Sequence, residues 1–292
     1  MISALNYLND TIVSNQLNIS FFEYIGFPLL ANNWPAIVSW TLAFQLILKA
    51  SAFIQVPLIN LIASTPEIKK ESSQLSKRQV FNWGTHSLSL VHAVYVSYLV
   101  IVIALFPNDT HPLTGIDDRI VKMANCAVGY FIWDLLLCTV DLKYQGLGFL
   151  AHASVALNAL LITYRPMCMI YVPAILSFEF STIFLNLIWF TDKLGYSSSK
   201  FMLFNGLGLV FAFIFVRVIY GISSFYSLFG LISANYEFVG AYHYYTLSAS
   251  MVILSSLNIF WLYKIIASFQ RKFSKISTAN VSNSNAEAKK LE

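Results

Sequence analysis

Seven apolar runs, each about as long as a bilayer is thick, constrain this chain more than any other feature. They lie at roughly 36 to 62, 80 to 106, 120 to 140, 147 to 163, 167 to 190, 201 to 233 and 241 to 266. A helix needs about 20 apolar residues to cross the hydrocarbon core, and backbone groups inside lipid must be satisfied within the segment. The chain is therefore expected to be an all-α polytopic membrane protein with about seven transmembrane helices, the sixth long enough to tilt, to kink or to be followed by an interfacial segment. Composition agrees, since 57% of the 292 residues are hydrophobic and 11% are charged, against about 25% charged in soluble domains.

The lysines and arginines set the orientation. With the N-terminus lumenal and the C-terminus cytosolic, thirteen of the eighteen basic residues fall on the cytosolic side, and only Arg119, Lys122 and Arg165 fall opposite. That asymmetry is the positive-inside pattern. Sequons at Asn9, Asn18 and Asn108 would then all be lumenal. The first 33 residues contain no Lys or Arg, so they do not read as a signal peptide with a basic start. Residues 1–35 are read as a lumenal segment, 36–62 as the first transmembrane helix and 271–292 as a disordered cytosolic tail poor in apolar residues. Lys289 and Lys290, just before the terminal Leu291 and Glu292, match a dilysine retrieval signal read by coat proteins. Localisation in the endoplasmic reticulum membrane is expected.

Several function classes find no support. Cys126, Cys138 and Cys168 lie in or beside apolar runs without paired spacing, which argues against a disulfide framework or a zinc site. The net charge of +4 is scattered, so there is no basic, aromatic-rich patch for nucleic acid. No His or carboxylate spacing within one helix suggests a metal, and no cofactor is expected.

The chemistry lies in polar residues inside the runs, because an ionisable group at membrane depth marks a bundle interior or cavity. At 1.5 Å per residue, His86, Asp134, His152, Asn186 and Asn258 fall at one level, roughly 6 to 10 Å inside the cytosolic boundary. His92, Glu179 and Arg217 lie deeper, with Lys49 at a similar level. Glu179, Thr182 and Asn186 share a helical face, as do Ser89 and His92. Glu179 is expected to pair with Arg217 or to be held neutral. His152 and Asp134 form the candidate catalytic pair, since a carboxylate can orient an imidazole for proton transfer near neutrality. His92 is the third catalytic candidate. His86, Ser89, Glu179, Thr182, Asn186, Arg217 and Asn258 are expected to line the cavity. Trp34, Trp189 and Trp261 read as interfacial belts.

The stretch from Phe178 to Asn186, followed by Trp189, Phe190, Asp192 and Lys193, resembles the most diagnostic segment of TLC-domain proteins, which include ceramide synthases and translocon-associated TRAM proteins. Ser89 to His92, Gly129 to Asp134, Arg165-Pro166 and Leu257 to Lys264 agree with it in order, over about residues 75 to 270. The last two look like the fungal and transmembrane-56-like branch. The resemblance implies a six-helix bundle, spans two to seven, enclosing a cavity with the first helix outside. Ceramide synthases carry two adjacent histidines on the fourth span, one able to accept an acyl group; here His152 stands between Ala151 and Ala153. Three readings follow. One is a lipid-homeostasis protein that binds a membrane lipid or acyl chain. The second is an acyltransferase with acyl-CoA as co-substrate, and the third a cargo receptor or translocon-associated partner.

Overall fold

The computed structural model describes Ile19 and residues 21–288, with side chains to Arg271. Seven helical spans are long and apolar enough to cross a membrane: Leu30–Ile62, Lys77–Leu105, Asp118–Val140, Leu147–Tyr164, Met169–Lys193, Lys200–Ala234 and Ala241–Arg271. The first begins six residues before its apolar run. We label the principal helices α1 (Leu30–Ile62), α2 (Pro66–Ser72), α3 (Lys77–Leu105), α4 (Asp118–Val140), α5 (Leu147–Leu161), α6 (Val172–Leu176), α7 (Glu179–Lys193), α8 (Lys200–Ala212), α9 (Gly221–Ala234) and α10 (Ala241–Ala288). Helical backbone in α10 runs through most of the polar tail; Lys289 and Lys290 lie outside the described residues, as do the sequons at Asn9 and Asn18.

Local chemistry explains where helices begin. Ser76 and Gln79 form a reciprocal capping box at the start of α3: Ser76 Oγ accepts from the Gln79 amide at 3.3 Å, and Gln79 Oε1 from the Ser76 amide at 2.8 Å. This satisfies two amide groups that the first turn leaves free. Thr65 caps α2 ahead of Pro66, and Ser199 caps α8. Gly195 has a φ of +85°, which a residue with a Cβ rarely adopts. It lets the chain turn after α7 and hold the end of α1, where Ser64 N donates to Leu194 O at 3.0 Å and Tyr196 Oη to Ile62 O at 3.0 Å.

Asp117 caps α4. Its carboxylate accepts from the Arg119 amide at 2.9 Å, from Arg119 Nη2 at 2.6 Å and from Asn108 Nδ2 at 2.9 Å, so the third sequon's amide is already engaged. The Arg119 guanidinium beside it holds the Asp117 carboxyl below the usual carboxylate range. A carboxyl with a lowered folded-state pKa stabilises above its unfolded pKa, about 3.9, and loses that contribution as pH falls through the folded value. Asp117→Asn is therefore expected to lower the unfolding midpoint at pH 6. The gap to wild type should close on acidification from about pH 4 downward; a gap constant across that range would refute the linkage.

Six spans close a ring: α3 packs on α4, α4 on α5, α5 on α10, α10 on α9, and the sixth span returns through α8 to α7 and α3. Small buried residues on α4, Ala124, Cys126, Ala127 and Val128, let its neighbours approach closely. This is the six-helix arrangement expected for spans two to seven. α1 stands against α3 and α4 outside the ring. It is nevertheless tied in, by Thr41 Oγ1 to Gly129 O at 3.0 Å, Trp133 Nε1 to Gln45 Oε1 at 2.9 Å and Asn125 Nδ2 to Asn33 Oδ1 at 2.7 Å.

Candidate functional site

Two interruptions of regular helix build the centre of the ring. In the fifth span, α6 ends at Leu176 and α7 begins at Glu179. Between them Phe180 N donates to Ser177 O at 3.0 Å and Ser181 N to Phe178 O at 3.2 Å, a tighter turn than an α-helix. The Ser177 hydroxyl back-bonds to Ala174 O at 2.6 Å, and the Ser181 hydroxyl donates to Phe178 O at 2.9 Å alongside its own amide. Glu179 thus opens a helix instead of lying in mid-helix as its sequence context suggests. That is where free amide groups and the helix dipole favour a carboxylate. In the sixth span, Phe213–Tyr220 is a π-helix, and Arg217 lies within it. Irregular backbone at membrane depth persists where protein buries it, and π-segments are frequent at functional sites.

The two interruptions meet at Arg217. Its Nε donates to Ser181 Oγ at 2.7 Å, Nη2 to Thr182 Oγ1 at 3.1 Å and Nη1 to Asn258 Oδ1 at 3.4 Å, while the Phe178 and Phe213 rings lie 5.5 and 5.1 Å from its Cζ. The expected Arg217–Glu179 ion pair does not form: no N···O contact within 4.0 Å joins them. Hydroxyl and amide acceptors on α7 and α10 occupy the guanidinium instead, and the charges interact only at longer range.

Glu179 instead faces His92, with Oε2 3.9 Å from Nδ1. His92 is fully buried, its ring stacked on Tyr130 at 3.8 Å and edge-on to Phe44 of α1 and Phe131. His152 shares a void of about 10 Å³ with Glu179, Phe131, Ala156 and Leu254. The candidate His152–Asp134 pair is not assembled: neither a hydrogen bond nor an N···O contact within 4.0 Å connects them. His152 is turned edge-on to Trp261 and Phe131, at 5.3 and 5.8 Å between ring centres. Asp134 lies one turn before Cys138, whose Sγ is 3.9 Å from Oδ1.

His86 belongs to a second polar group nearer the basic end of the bundle. Its Nδ1 donates to Asn186 Oδ1 at 2.8 Å, and its ring stacks on Trp189 at 4.0 Å. Asn186 Nδ2 in turn donates to Ser89 Oγ and to Thr182 O, both at 3.0 Å. Thr182 therefore joins this group to Arg217 and Asn258, so members of both expected depth levels are linked, while Asp134 and His152 stand outside that chain of bonds. Lys49 is exposed on α1 and takes no part. Sequence reasoning missed Ser181, Tyr130 and Phe44. Ser181 had a signal, a hydroxyl two residues after a membrane carboxylate; Phe44 had none, because an aromatic on an apolar helix carries no mark of its partner. Trp189 and Trp261, expected as interfacial anchors, are ring partners of His86 and His152.

No three His, Cys, Asp or Glu among the described residues converge as a metal site. Among the described residues, four buried side-chain atoms at the centre have no hydrogen-bond partner: both nitrogens of His92, Nδ1 of His152 and Nδ2 of Asn258.

The sequence pattern of the TLC domain matches residues 82–267, most of the chain and the whole of the ring that holds these groups. The chain belongs to the TLC domain family. The TLC relatives of this protein include an uncharacterized TLC domain-containing protein of Schizosaccharomyces pombe, 33% identical over 238 residues that cover 78% of this chain and 79% of the relative. TLC domain-containing protein 4 of Xenopus tropicalis is 30% identical over 234 residues, covering 75% and 88%. Topoisomerase I damage affected protein 4 of Saccharomyces cerevisiae is 26% identical over 253 residues, covering 85% and 88%. These relatives place the TLC chain beside fungal and protein-4-type members, the branch that Arg165-Pro166 and its closing Leu257 to Lys264 segment resemble.

Proposed function

We propose that this TLC protein acts in membrane lipid homeostasis, of sphingolipids or phospholipids, by binding the polar part of a lipid or acyl chain at the Glu179–His92–His152–Arg217 centre. One observation carries the reading: unpartnered polar atoms of His92, His152 and Asn258 surround two broken spans that meet at Arg217. An unsatisfied buried polar group costs about 1 to 3 kcal/mol, and a lipid carbonyl, hydroxyl or amide entering among them would offset that cost. Each neutral imidazole offers one donor and one acceptor. The present void takes about one water-sized group, so entry of a lipid requires the side chains that line it to move.

Acyl transfer from acyl-CoA remains the competing reading, because His152 is present and apo geometry alone does not exclude a catalytic group. The missing His152–Asp134 contact favours binding. Localisation in the endoplasmic reticulum, with coat proteins recognising Lys289 and Lys290 on the cytosolic side, completes the proposal. Purification in maltoside followed by lipid mass spectrometry tests it. Wild type and Asp134→Asn are expected to retain a defined lipid, and His92→Ala and His152→Ala to lose at least about ten-fold of it while remaining monodisperse. Equal retention in all four overturns the reading. Turnover with acyl-CoA, abolished by both Asp134→Asn and His152→Ala, would replace it with the transferase.

A further inference from the structure

A second cavity lies apart from this centre, at the end of the bundle that carries Lys69, Lys70, Lys77 and Lys193. It encloses about 360 Å³, within the size range of small-molecule sites. Ile59 at the end of α1, Ile68 of α2 and Leu75 form its apolar side. Trp83 and Trp189 form an aromatic wall, their ring centres 5.1 Å apart and nearly perpendicular. The stack of His86 on Trp189 and the bond from His86 to Asn186 hold that wall in place.

Its polar side is electrically balanced. Glu71 and Lys193 both line the cavity and are exposed, and among the described residues neither has an ion-pair partner within 4.0 Å. Lys193 Nζ lies 6.0 Å from the Trp189 ring centre. Asn82 and Gln79 add amides; Gln79 Oε1 is already used by the Ser76 amide, which leaves its Nε2 to donate.

We propose that this cavity seats the headgroup of a zwitterionic glycerophospholipid, with the phosphate at Lys193 and the Gln79 and Asn82 amides and the ammonium between Glu71 and the two tryptophans. A lysine suits phosphate as a point charge, and a carboxylate beside aromatic faces suits an ammonium. One cation opposite one carboxylate matches a ligand of zero net charge, and Glu71 repels an anionic lipid or a polyphosphate. A membrane source is favoured over a soluble one by the neighbouring surface. Leu58, Leu61 and Ile62, on the same final turns of α1 as Ile59, are exposed apolar residues of a membrane-spanning helix and offer a track for acyl chains.

Titration of the maltoside-purified full chain with dihexanoyl-phosphatidylcholine and dihexanoyl-phosphatidylethanolamine, by calorimetry, tests the proposal. Glu71→Gln and Lys193→Gln alter exposed side chains, and an unfolding midpoint equal to wild type checks that folding is kept. Each is expected to weaken both lipids at least about ten-fold, about 1.4 kcal/mol, while dihexanoyl-phosphatidylglycerol and free phosphocholine bind wild type at least about ten-fold more weakly than the zwitterionic lipids do. Unchanged affinity in both variants would overturn the proposal. So would phosphatidylglycerol binding as tightly as phosphatidylcholine, which would mean simple attraction to the basic end. Phosphocholine binding as tightly as the lipid would also overturn it, in favour of a soluble phosphoester. The central site is read by the lipid retained through purification and this cavity by the titrated short-chain lipid, so loss of one signal without the other distinguishes failure here from failure at the central site.

Discussion

Arg217→Leu is expected to lower the thermal unfolding midpoint in maltoside micelles by about 10 °C, corresponding to about 3 kcal/mol. Leucine nearly keeps the volume but removes the donors to Ser181, Thr182 and Asn258. Their acceptors would then lie in an interior where no other described side chain replaces them. Hydrogen bonds to a charged group contribute about 1.5 kcal/mol or more each in soluble proteins, and membrane bundles average about 0.6 kcal/mol, so three bonds total between about 2 and about 4.5 kcal/mol, and about 3 kcal/mol lies between. Arg217→Lys should recover less than half, because one ammonium cannot span acceptors on both α7 and α10 as a planar guanidinium does. Ser181→Ala should cost about 1 kcal/mol. An unchanged midpoint for Arg217→Leu would show that the broken fifth span and the π-segment do not depend on each other.

The seven spans were legible because backbone groups in lipid leave so few alternatives; length and hydropathy alone locate them. The identity of the interior residues was legible for a related reason. Glu179, Arg217, His92 and Asn258 have no place on a lipid-facing surface, and all four are buried. Their pairing was not legible. Depth counted along straight helices put Asn258 and His152 in a different layer from Arg217 and Glu179, but the break before Glu179 and the π-segment around Arg217 shift the register of both spans. Neither irregularity is announced by a proline at the position where it occurs. The resemblance to the TLC family carried the ring of six helices, and the role of α1 escaped it because α1 lies outside the matched residues.

That role makes Gly129→Val the second large effect. A Cβ at Gly129 would stand 2.6 Å from Trp40 Cβ and 2.9 Å from Ile37 O, and the latter is backbone and cannot rotate away. The close approach is what allows Thr41 Oγ1 to reach Gly129 O and Phe44 to touch both His92 and Tyr130. Overpacking of this kind costs about 1 to 3 kcal/mol. Gly129→Ala is expected near the low end and Gly129→Val at or above the high end, because two γ-methyls must also be housed. The consequence should extend from stability to the site: once α1 is pushed away from α4, Phe44 withdraws from His92, and the retained lipid should fall with the unfolding midpoint. Gly148, whose Cβ would meet nothing within 4 Å, supplies the control, and Gly148→Ala should leave both unchanged. If Gly129→Val lowered stability while lipid retention stayed at the wild-type level, α1 would be a brace for the ring and no part of the wall around its polar centre.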